Sequence, residues 1–112
     1  MEIIETPIFT KKIKDVLSDD EYGRLQWALV INSVAGAVIP GGKGLRKLRW
    51  VIPGRGKRGG LQIIYYWYTR DEKIYMLLPY KKSEQEDLIV LLMSAETERG
   101  KFLFARVNDE EK

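Results

Sequence analysis

Apolar positions in the first third of the chain recur at helical spacing, and from residue 45 the period changes to two. Ile3 and Ile4 suit a short strand. Thr6 and Pro7 supply the residue types of an N-cap and a first helical position, and Phe9, Ile13, Val16 and Leu17 follow at roughly helical spacing, which predicts a short helix. Ser18-Asp19-Asp20-Glu21 matches a capping box, in which the serine oxygen accepts an orphan backbone N–H and the glutamate reaches back to the cap. A second helix should start there and end near Ser33. Its stripe of Leu25, Ala28, Leu29 and Asn32, with Tyr22 in line above, would cover a sheet. Residues 36–44, holding Pro40, Gly41 and Gly42, read as a loop.

Along residues 45–52 the odd positions are Leu45, Lys47, Arg49 and Val51, and the even positions are Arg46, Leu48, Trp50 and Ile52. The pleat of a strand therefore separates a cationic face from a more apolar one, with Lys47 and Arg49 side by side on exposed sheet surface. Residues 53–60 form a basic, glycine-rich turn, read as a hairpin with cations at its tip, because its spacing is neither a P-loop nor a dinucleotide fingerprint. The strands flanking it and a third over residues 73–80, reached through a turn at Asp71-Glu72, would make an antiparallel meander. Helical character resumes over residues 83–98, where 88–93 is apolar all round, and Phe102-Leu103-Phe104 offers one last short element. The expected fold is α+β: a small antiparallel or mixed sheet, two N-terminal helices packed on one face, and a C-terminal helix. It would be a single domain over 1–112, ending in an acidic, frayed tail of about residues 107–112.

A length of 112 residues with 45% hydrophobic content fits one domain with a modest core. No apolar run approaches the roughly 18 to 20 residues that span a bilayer, and the N-terminus has no signal-peptide pattern, so a cytoplasmic protein without a membrane partner is expected. Cysteine and histidine are both absent. That removes thiolate chemistry, the usual general base and the commonest metal ligand, leaving Lys, Arg, Tyr, Glu and Asp for any catalysis, with no metal or cofactor expected.

Charge adds the main functional signal. The formal charge is only +3, yet between Glu21 and Asp71 there is no acidic residue, while Arg24, Lys43, Arg46, Lys47, Arg49, Arg55, Lys57, Arg58 and Arg70 all fall in that stretch. Tyr65, Tyr66, Trp67 and Tyr68 lie among them. Cations for phosphates beside rings that stack on bases describe an RNA-binding surface. A solvated basic loop followed by a buried aromatic strand has the same composition, and the residues leave both readings open.

The order of elements, with Gly44-Leu45-Arg46-Lys47-Leu48-Arg49, Gly56-Lys57-Arg58-Gly59-Gly60, Ile63-Ile64-Tyr65-Tyr66 and the run from Tyr80-Lys81-Lys82-Ser83 to Leu88, resembles the HigB branch of the RelE/ParE toxin superfamily. The likeness covers about residues 8 to 88 and rests on the ordered combination of short motifs. It implies a RelE-like fold and a toxin of a type II toxin-antitoxin system that cleaves messenger RNA on the ribosome and so inhibits translation. It also implies a cognate antitoxin with a helix-turn-helix DNA-binding domain, through which alone the toxin would reach operator DNA.

RNA cleavage by a 2′-hydroxyl needs a base, an acid for the leaving oxygen, and cationic stabilisation of a phosphorane-like transition state. The resemblance assigns Lys47 and Arg49 to this work, with Arg49 as charge clamp. A lysine at its usual pKa of about 10.4 is a poor base, so Lys47 would depend on neighbouring cations to lower it; solvated or merely phosphate-binding roles are the alternative. Tyr80 and Lys82 match positions lining the same groove, Tyr80 to stack on a base or serve as a buried structural ring, Lys82 to hold a phosphate. Arg46, Arg55, Lys57, Arg58 and Tyr66 complete the expected RNA-binding set. The chain departs from the pattern at Gln62, where such relatives carry an arginine; glutamine donates hydrogen bonds but brings no charge, and Arg58 is the nearest substitute. The alternative functions are a catalytically weak or inactive RNA- and ribosome-binding relative, or a ParE-like toxin acting on a protein such as DNA gyrase.

Overall fold

Both predicted caps form, and they fix where the helices begin. A computed structural model describes residues 1–42, 44–52, 54, 60–68 and 72–81. Thr6 caps helix α1 (Pro7–Val16): its Oγ1 accepts the Phe9 N–H at 3.1 Å and donates to the Leu77 carbonyl at 2.8 Å. In helix α2 (Asp19–Ile31) the capping box is complete, with the Glu21 N–H donating to Ser18 Oγ at 3.2 Å and the Ser18 N–H to Glu21 Oε1 at 2.8 Å. Leu25 and Leu29 are its buried residues, while Asn32, expected on that stripe, is the exposed C-cap instead.

Five strands form one mixed sheet in the order β1-β5-β4-β3-β2, from β1 (Glu2–Glu5), β2 (Ala37–Val38), β3 (Arg46–Val51), β4 (Gly60–Tyr68) and β5 (Lys73–Lys81). Strands β3, β4 and β5 are the antiparallel meander that alternation predicted. Two features went beyond it. β1 pairs in parallel with β5, aligning Glu2 with Lys73 and Glu5 with Met76. The segment expected as a loop contains β2, paired with Arg46 and Lys47, because Gly41 and Gly44 adopt positive φ and let the Ile39 N–H donate to the Leu45 carbonyl at 2.8 Å.

β4 and β5 slip by one residue: Ile64 faces Leu78 but Tyr65 faces Met76, leaving Leu77 without an opposite number. A bulge of this kind bends the strand and takes one residue out of the ladder. The Leu77 carbonyl is the one that Thr6 binds, so the irregularity is also the anchor for α1. Pro79 lies past the last β1 pairing, where among the described residues no further strand joins that side of β5 and a missing N–H is tolerated.

The main core lies between one face of the sheet and the two helices. Phe9, Ile13, Leu17, Leu25 and Leu29 pack with Ile52, Leu61, Ile63, Tyr65, Ile74 and Met76. By the pleat, Lys47, Arg49, Gln62, Ile64, Leu78 and Tyr80 belong to the opposite face. Lys47 and Arg49 were expected on exposed sheet surface, yet that face also holds the buried Ile64, Tyr68, Leu78 and Tyr80. Residues 1–81 form one compact unit. The expected helix over residues 83–98, its apolar 88–93 portion and the element at 102–104 lie outside the described residues. No helix among the described residues is long and apolar enough to cross a membrane.

Candidate nucleic-acid interface

Strand β3 carries the two cations that matter most. Alternation puts Lys47 and Arg49 on one side of it, Lys47 half-buried and Arg49 exposed, and neither side chain makes a hydrogen bond or ion pair with another described residue. Unpaired cations on adjacent same-face positions are available to phosphate oxygens. The register extends the site sideways, because Arg49 stands opposite Gln62 and Gln62 opposite Tyr80, giving one row across three strands. Directly opposed residues in an antiparallel pair have Cβ atoms about 5 Å apart, so Arg49, Gln62 and Tyr80 are successive neighbours. In the next row Lys47 faces Ile64, and Ile64 faces Leu78, which gives the lysine an apolar floor.

Tyr80 is 2% exposed. Its ring is closed to a stacking base in this conformation, and its hydroxyl is buried without a hydrogen-bond partner among the described residues. Burial raises its pKa above the usual tyrosine value, so at neutral pH the group is a protonated donor. Tyr66 lies on the same face and is half-buried. The edge of its ring comes within 2.9 Å of where a Cβ on Gly44 would stand, so only glycine fits beside it.

Arg46 is not brought to this surface. Paired with Tyr65, it sits on the helix-covered face and donates from Nη1 to the Gly36 carbonyl at 2.8 Å. Alternation had already put Arg46 with the apolar residues of β3; that its guanidinium is held within the protein was not visible until the partner carbonyl was known. The same spot is a polar hub. The Tyr65 hydroxyl accepts the Gly36 N–H at 2.9 Å and donates to the Ser33 carbonyl at 2.8 Å, while the Ser33 hydroxyl donates to the Leu29 carbonyl at 3.0 Å. Burial raises the Tyr65 pKa, opposed by the Gly36 N–H and by the charge of Arg46. Sequence reasoning missed Ser33, Gly36 and Tyr65, grouping Tyr65 with the aromatic run. The signal was the period itself, which places Tyr65 on the inward side with Leu61 and Ile63.

Lys82, Arg55, Lys57 and Arg58 lie outside the described residues. No group of three His, Cys, Asp or Glu side chains that would hold a metal stands among the described residues. Compared against models of known protein families, the chain matches none. What the geometry brings together is therefore a row of cation, amide and buried phenol beside a second cation. These groups can bind and polarise a phosphate. Lys47 and Arg49 bring the charge, while Gln62 and Tyr80 can donate hydrogen bonds without adding any.

Proposed function

We propose that this chain is a HigB-type toxin of a type II toxin-antitoxin system, an endoribonuclease that cuts messenger RNA on the ribosome and is neutralised by a cognate antitoxin. The observation that supports this reading best is the same-face grouping of Lys47 and Arg49, neither paired with another described residue, with Gln62 and Tyr80. In this scheme Lys47 in its neutral form takes the proton from the attacking 2′-hydroxyl, the 2′-oxygen bonds to phosphorus as the bond to the 5′-oxygen breaks, the leaving 5′-oxygen takes a proton from water, and Arg49 stabilises charge gathering on the phosphorane-like oxygens. Gln62 donates a hydrogen bond to the same oxygens. Lys82 holds a neighbouring phosphate. Tyr80 contributes its ring only once the surface around it opens.

One observation favours a second reading. Gln62 brings no charge to the place where such toxins carry arginine, and Tyr80 is buried, as suits a protein that binds RNA or ribosomes without cutting. Purified protein added to a translation reaction, with mapping of new messenger RNA ends, separates the two. Codon-phased cuts that disappear in Lys47→Ala and Arg49→Ala are expected. Ribosome binding without cuts, unchanged by Gln62→Arg, would establish the binding-only reading, and neither result would leave a protein target of the ParE kind. If Gln62 takes the place of a transition-state arginine, Gln62→Arg should raise single-turnover cleavage by a factor of about 100 to 1000, with affinity changed far less.

A further inference from the structure

We propose that Arg46 and Tyr65 are positioning residues for Lys47, holding it from the opposite side of the sheet through Gly36; the proposal rests on the endoribonuclease reading of Lys47. Gly36 lies where three parts of the chain converge. A Cβ built on it would stand 2.7 Å from Tyr65 Cε1, 3.0 Å from the Tyr65 hydroxyl and 3.0 Å from the backbone carbonyl carbon of Lys47. The Tyr65 ring and the Lys47 main chain thus both crowd the side of Gly36 on which a side chain would stand. Both its polar backbone groups are taken up there, the N–H by the Tyr65 hydroxyl and the carbonyl by Arg46. Ala37, the next residue, pairs with Lys47.

A strand near an edge, held on that side by a partner of only two residues, has little of its own to fix its height and twist. Here the fastening is made by side chains instead. Arg46 ties β3 to Gly36, Tyr65 ties β4 to Gly36 and Ser33, and the Lys47 backbone lies directly over the clamped glycine. Because Arg46 and Lys47 are adjacent and point to opposite faces, a movement that lets Arg46 leave its carbonyl also tilts the Lys47 side chain. A general base displaced by about 1 Å can lose about 100-fold in rate while binding, which depends on charge more than on aim, is nearly kept.

The test uses the full chain and three variants, Tyr65→Phe, Arg46→Met and Arg46→Lys, with Lys47→Ala as reference. Single-turnover cleavage on programmed ribosomes should fall by about 10- to 100-fold in Tyr65→Phe and Arg46→Met, with ribosome affinity held within about twofold. Arg46→Lys, which keeps one donor for the Gly36 carbonyl, should recover part of the loss. In ¹⁵N spectra the Lys47 amide signal should shift and exchange faster in both disruptive variants, while those of Phe9 and Ile13 on α1 stay in place. A folded Tyr65→Phe or Arg46→Met that cleaves at full rate, when Lys47→Ala does not, would overturn the proposal. If Tyr65→Phe fails to fold, Arg46→Met decides. Should no form cleave, Gln62→Arg included, the endoribonuclease reading falls; unmoved Lys47 signals would then overturn the positioning claim, and shifted ones would uphold it.

Discussion

At the scale of single residues, Gly36 has the closest neighbours among the described glycines. A methyl group there would meet the Tyr65 ring at 2.7 Å and the Lys47 main chain at 3.0 Å, both inside van der Waals contact and one of them backbone. Gly36→Ala should therefore destabilise the protein by about 1 to 3 kcal/mol, read as a lowered urea midpoint at constant slope. Buried tyrosines make a second prediction. Tyr22, Tyr65 and Tyr80 all have pKa values raised by burial, and in Tyr22 the hydrogen bond its hydroxyl donates to Glu5 Oε2 at 2.6 Å, together with that carboxylate's charge, adds to the effect. A raised folded value means the native state keeps protons that the unfolded chain gives up from about pH 10. Stability should be level below that pH and fall as pH climbs toward about 12. Urea midpoints across this range, with tyrosinate absorbance as the proton count, check it; Tyr22→Phe should shrink the fall. The sequence identified the residue types of the candidate site and their separation by face along β3. Their partners were not legible, because Arg46 finds its acceptor ten positions away, and the acceptor is a glycine carbonyl that carries no side-chain signature.

At the scale of elements, the caps are where sequence and structure agree most closely, since a cap is a local event decided within four residues. Thr6 does more than the motif promised, serving both α1 and the bulged Leu77. Thr6→Ala should cost about 1 to 2 kcal/mol by thermal or urea unfolding, and Thr6→Ser should restore most of it. Helix α2 offers a paired contrast. Leu25 is buried, so Leu25→Ala should cost about 2 to 5 kcal/mol, whereas Trp27 is 64% exposed and Trp27→Ala should stay within about 0.5 kcal/mol. Residue type alone would have ranked the tryptophan as the graver loss. Alternation gave β3, β4 and β5, but the two-residue β2 was too short to show a period. The bulge was equally hidden: it breaks the alternation within β5, where residues 74–78 are apolar on both faces and no pattern remains to be broken.

For the whole molecule, the uneven distribution of charge makes a thermodynamic claim that fold alone does not. If Lys47 and Arg49 each neutralise one RNA phosphate, replacing either with Ala should reduce the slope of log affinity against log salt by about 0.7 to 0.9. An unchanged slope in a folded variant would put the contact elsewhere. On the proposed toxin reading, inhibition by an antitoxin that covers this surface should share the salt dependence, and a complex equally tight in low and high salt would exclude that mode. The architecture was legible as α+β from the change of period, yet the parallel partner of β1 was not, because two isoleucines do not say which edge they will join.

That pairing sets an order of events in synthesis. Glu2–Glu5 must wait for Lys73 to Met76, and the Thr6 hydroxyl for Leu77, a residue 71 positions later. While the chain is still being made, its first strand has no neighbour and the start of α1 is fastened by its own cap alone. Contacts this distant in sequence are slow to close. The meander, made of neighbouring hairpins, is able to assemble first and present the edge on which the beginning of the chain then docks. A nascent chain stopped short of residue 73 would carry the segments of both helices and of β2, β3 and β4, and β1 would still lack the strand it joins.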